Sequence, residues 1–135
     1  MPERSLNQKA SDLLGERLMS DVRDHEIQFW DEFLVGQTRY YNYRKIYEGL
    51  RQSLEAEQLE AVRDLIPYVV DNVIANFLGM LENVEFEVAV HVEGGTVPSL
   101  DDVTDGLETA LYGEEGWIAR YSKKGYDPFG LEKDQ

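Results

Sequence analysis

At 135 residues, 42% of them apolar and 11% aromatic, the chain is long enough to bury one core, too short for two, and too apolar to stay disordered. Its 27 acidic residues against 13 basic ones give a net charge of −14, which argues against direct nucleic-acid binding, because affinity for phosphates comes from Lys and Arg. Zero cysteines exclude disulfides, thiolate metal ligands and a cysteine nucleophile, and fit a reducing compartment.

The first residues, Met1 to Asn7, hold no apolar stretch of the kind a secretory signal needs, so a cytoplasmic protein is expected. From Ser5 to Val35 apolar residues such as Leu6, Ala10, Leu14, Leu18, Phe29 and Phe33 recur at three- and four-residue steps, which predicts one or two helices. Gly15 and Ser20-Asp21 are candidate interruptions, and Gly36 is a C-terminal stop. Thr38 to Ser53 predicts an amphipathic helix with Tyr43, Ile46, Tyr47 and Leu50 along one stripe and Arg39, Arg44, Lys45 and Arg51 around it. The strongest period runs from Ala56 to Leu81 and predicts a core helix that kinks or restarts at Pro67. Asp71, Asn72 and Asn76 interrupt its apolar pairs, so no membrane span is expected.

At Asn83 the period drops to two. Val84, Phe86, Val88, Val90 and Val92 alternate with largely charged residues, a strand closed by Gly94-Gly95. Ser99 with Asp102 resembles a helix start, and Leu100, Val103, Leu107 and Leu111 share a face up to Gly113. Residues 117–122 read as a second strand. The expected fold is α+β, a mainly helical N-terminal two-thirds packed on a small β-sheet formed by the C-terminal third. It is one domain over 1–135, irregular at 1–5 and 124–135. Its core should include Leu59, Val62, Ile66, Val73, Phe77, Val88, Val90, Leu107 and Ile118.

Few residues carry chemistry. His25, between Asp24 and Glu26, has neighbours that point in different directions on a helix, and His91 sits on the polar face of the strand. The run from Asp101 to Gly106 departs from a calcium loop at Val103 and Tyr112. The pairs Glu85/Glu87 and Asp101/Asp105 look exposed, with no apolar environment to separate their pKa values. No catalytic motif is present, and neither an enzyme, a cofactor nor a metal is expected.

The distribution of charge is more telling. From Asp64 to Ala119 there are 12 acids and no Lys or Arg, leaving 15 acids and 13 bases elsewhere. Such a field attracts basic proteins and speeds their association. The expected function is that of a small acidic intracellular protein that inhibits or neutralises a basic partner, resembling immunity proteins in size and charge only. The expected partner-binding residues are Glu85, Glu87, Glu93, Asp101, Asp102 and Asp105, with Tyr112 and Trp117 as anchors. The alternatives are a nucleic-acid mimic that blocks a DNA-binding enzyme and a homo-oligomeric accessory protein paired through its strand.

Overall fold

Ser5 has the short hydroxyl that a helix start needs. Its Oγ accepts from the Gln8 amide, and the Gln8 side chain accepts from the Ser5 amide, both at 3.1 Å, a reciprocal cap for groups with no partner inside the helix. From this start runs α1 (Leu6–Arg17). In the computed structural model, which describes residues 5–82, 85, 87–103 and 106–124, the helical path passes through Gly15 and Ser20-Asp21 without a break. It widens to π geometry over Leu18–Asp24 and continues as α2 (His25–Phe33). Gly36 follows at φ 79°, a left-handed backbone that only glycine adopts cheaply. Then come α3 (Tyr41–Ser53) and α4 (Ala56–Leu81). The last of these does not restart at Pro67.

Two strands, β1 (Val90–Val92) and β2 (Gly95–Val97), form an antiparallel hairpin with Val90 opposite Val97 and His91 opposite Thr96. The fold is therefore α+β, a helical N-terminal region with a small two-stranded sheet in the C-terminal part. The strand is shorter than the alternation from Val84 predicts: residues 87–89 are not in the ladder, and Val84 and Phe86 lie outside the described residues. The register is lost beyond Val90 and Val97: continued pairing would set Ser99 opposite Val88, but it is the Leu100 amide that donates to the Val88 carbonyl, at 2.9 Å.

The helix expected to follow Ser99 is replaced by two 3₁₀ turns, Leu100–Asp102 and Leu107–Thr109. Gly106 between them has φ 94°, which takes the chain out of helical geometry. The second expected strand is also overturned, because residues 117–121 form the short helix α5 (Trp117–Tyr121). Trp117 and Ile118 are both buried. A strand would point two successive residues to opposite faces, whereas a helix can turn both into one core.

The core joins Met19 and Ile27 to Ile74 and Leu78 of α4, and both pairs to Leu107, Leu111, Trp117 and Ile118. Gly15 is what admits the indole of Trp117 against α1, since a Cβ there would lie 2.5 Å from two of its ring atoms. Of the expected core, Leu107 and Ile118 are buried, and Leu59, Val62, Ile66, Val88 and Val90 are half-buried. Val73 and Phe77 are exposed, at 62% and 50%. The apolar arc of α4 is wider than the body beneath it, and the sequence period does not say which flank is left over. Leu78→Ala is accordingly expected to cost about 2–5 kcal/mol and Phe77→Ala less than about 1 kcal/mol. Urea denaturation of the two variants checks the order, and a larger loss at Phe77 would refute it.

Among the described residues α4 is also long and apolar enough, by length and composition alone, to cross a membrane. That corrects the expectation that no such segment exists. Here Asp71, Ile74 and Leu78 turn one side of this helix into the core.

Candidate interaction surface

The hairpin and the turn after it place the expected acidic residues at the surface. Glu85, Glu87, Glu93, Asp101 and Asp102 are all exposed. The Leu100–Val88 hydrogen bond joins the backbone beside Glu87 to the turn that carries Asp101 and Asp102, and Ser99 Oγ caps that turn by accepting from the Asp101 amide at 3.3 Å. Asp105 lies outside the described residues. The two expected anchors fare differently. Trp117 is 2% exposed and cannot meet a partner, so its place is in the core, against Gly15. Tyr112 is half-buried; burial raises the pKa of its hydroxyl, the Asp71 carboxylate adds to the rise, and Arg23 opposes it.

Those two residues form the strongest electrostatic feature of the fold. Arg23, on the π segment, is fully buried. Its Nε donates to Asp71 Oδ1 at 2.6 Å and its Nη2 to Asp71 Oδ2 at 3.2 Å, while Nη1 donates to Ser122 Oγ at 2.7 Å and to the Lys124 carbonyl at 2.9 Å. Asp24 accepts from Ser122 Oγ and from the Lys123 amide at 2.6 and 2.8 Å. The planar guanidinium thus ties the first helical path, α4 and residues 122–124 together. This is structural chemistry, with every described buried side-chain polar atom satisfied. The signal in the sequence was Asp71 itself, the single charge between Leu65 and Leu81.

The opposite situation holds on the outer flank of α4. Leu65, Val69, Val73 and Phe77, each four residues from the next, form a ridge that ends near Met80, and all five side chains are exposed. The ridge carries no charge in a chain that is 30% charged. Carboxylates stand beyond its ends, Glu60 and Asp64 before it and Glu82, Glu85 and Glu87 after it. Apolar stripes of this kind, rimmed by polar residues, are larger than the scattered apolar side chains of an ordinary surface. These residues lie in the apolar run of α4, and two of them, Val73 and Phe77, are among those the period assigns to the core.

A second exposed apolar surface belongs to α3, which has no buried residue. It rests on α2 through ring edges, with Tyr43 5.2 Å from Phe29 and 5.9 Å from Trp30 between centroids, both pairs close to perpendicular. Neither histidine is part of a catalytic arrangement among the described residues. His25 is exposed, and His91 Nδ1 is hydrogen-bonded across the hairpin to Thr96 Oγ1. No group of three or more His, Asp or Glu that could hold a metal occurs among the described residues. No family model, curated protein or solved structure matches the chain.

Proposed function

We propose that this protein acts by binding a basic protein, and that it does so as an intracellular inhibitor or neutralising partner rather than as an enzyme. The observation that carries the reading is the uncovered, charge-free ridge of α4 in a chain of net charge −14. Apolar side chains at the centre of a contact hold the complex together, while charges outside it steer encounter. Glu85, Glu87, Asp101 and Asp102 would supply steering, and Leu65, Val69, Val73 and Phe77 the contact itself. The charge favours a basic partner over a second copy or an anionic membrane, since both of those would be repelled. The same sign disfavours nucleic acid.

This division of labour is testable by kinetics with the purified partner. Converting Glu85, Glu87, Asp101 and Asp102 to Gln or Asn is expected to lower the association rate at least about tenfold, and added salt should do the same. Val73→Glu is expected to leave association nearly unchanged and to speed dissociation by about tenfold or more. Both variants should melt close to the parent, because these side chains are exposed. A partner indifferent to all five changes would sink the reading.

One observation favours a second reading. A ridge with four-residue spacing can interdigitate with its own copy about a two-fold axis. Sedimentation of the protein alone decides between them. A dimer that Val73→Glu dissolves would assign this face to a second copy instead of a basic partner.

A further inference from the structure

Four aromatic rings wall a cavity of about 320 Å³ between α2 and α3: Phe29, Trp30, Tyr40 and Tyr43, completed by His25 and Glu26. The rings stand nearly upright to one another. Phe29 and Trp30 meet at 88°, Trp30 and Tyr43 at 81°, and Tyr40 and Tyr43 at 68°. Upright neighbours bound a space with more than one ring, and the negative face of a ring attracts a cation within about 6 Å of its centre. These rings are not spent on core packing alone, since Tyr40 and Tyr43 keep 55% and 36% of their surface exposed.

Glu26 gives the cavity its sign. Its Oε2 accepts from Trp30 Nε1 at 2.7 Å, which fixes the indole one helical turn away. Its Oε1 has no partner among the described residues. An adjoining cavity shares His25, Phe29 and Tyr40 but is lined by both Arg39 and Glu32, whose opposite charges offset each other. The two compartments therefore differ in charge, and the one with Glu26 suits a positive group.

We propose that this cavity binds an alkylated ammonium group, held by the faces of the rings and by the Glu26 carboxylate. Such a group arrives on the lysine side chain of a basic protein or on a free quaternary amine, and the chemistry at the site is the same. The inference is independent of the α4 ridge, and its test needs no partner. Failure here would leave the docking reading untouched, and failure there would leave this one.

The chain has two tryptophans, so amide-correlation NMR shows two indole N–H signals, and the buried Trp117 serves as the internal control. The probes are tetramethylammonium chloride and, in a separate arm, N-acetyl-lysine methylamide, each against sodium chloride at equal ionic strength. A saturable shift of the Trp30 signal with Trp117 unmoved is expected. Response to the lysine derivative would mark a protein side chain as the ligand, and response to tetramethylammonium alone would mark a small quaternary amine; either supports the site. Glu26→Gln keeps an acceptor for Trp30 Nε1 while removing the charge, and should weaken binding about tenfold. Tyr43→Leu should abolish it. No saturable shift with either probe, or equal shifts with sodium chloride, would overturn the proposal, as would full binding by Glu26→Gln.

Discussion

Truncating Asp71 to alanine is expected to cost about 3–5 kcal/mol, close to the whole stability of a marginal domain. Arg23 is 0% exposed, and its charge would remain in a site closed to water with its two bonds to the carboxylate gone. The cost comes mainly from a buried cation whose nearest remaining described carboxylate, Asp24, stands 3.9 Å from Nη1, and not from the attraction lost, because a buried pair recovers little more than it gives up in hydration. That distinction can be measured. Replacing both residues, Arg23→Met with Asp71→Leu, should restore much of the loss but not all of it, since Ser122 Oγ and the Lys124 carbonyl lose their donor too. Equilibrium urea unfolding of the single and double variants decides. A loss below about 1 kcal/mol for Asp71→Ala would mean that solvent reaches Arg23 after all.

A loss of similar size is expected at Trp117, where truncation to alanine should cost about 3–5 kcal/mol by leaving a cavity beneath α1. The informative companion is Gly15→Ala. In the middle of an ordinary helix this change stabilises by up to about 1 kcal/mol. Here the added methyl would lie 2.5–2.7 Å from Cδ1, Nε1 and Cε2 of the indole, and the ring, 2% exposed, has nowhere to move. Overpacking of this kind costs about 1–3 kcal/mol, so the sign reverses and the variant should be destabilised. Trp117→Phe, with its smaller ring, should make Gly15→Ala tolerable. Thermal melting of the four proteins tests the coupling. A stabilised Gly15→Ala single variant would contradict the packing.

The helices from Leu6 to Leu81 were legible because a 3.6-residue period sustained over several turns outweighs any one misplaced residue. The C-terminal third offered shorter signals. Val84 to Val92 does alternate, yet the length of its ladder depends on how far the opposite strand keeps register, which ends at Val97 and which the alternation does not show. Trp117-Ile118 resembles strand because both residues have high β-propensity, but a turn of helix carries both side chains into one core, which a strand covered on a single face would not. For the site, exposure of the acids followed from their charge alone. The ridge did not follow, because periodicity identifies an apolar face without saying whether anything lies against it. Asp71 was read as an interruption of an apolar run, and its distant partner, Arg23, has no local signature.

The bonds from Arg23 to Ser122 and Lys124 span 99 and 101 residues of sequence. A ribosome adding about 5–20 residues per second therefore needs roughly 5–20 s after making Arg23 to supply its final acceptors. Asp71, Ile74 and Leu78 of α4 arrive about halfway through that interval and can cover part of the inward face, while Arg23 still lacks its acceptors at Ser122 and Lys124. The path from Leu6 to Phe33 cannot complete its packing early, since that packing closes only as residues 117–124 are added. The helical path from Leu6 to Phe33 is thus completed by residues about 100 positions further along the chain, and neither segment reaches its native packing without the other.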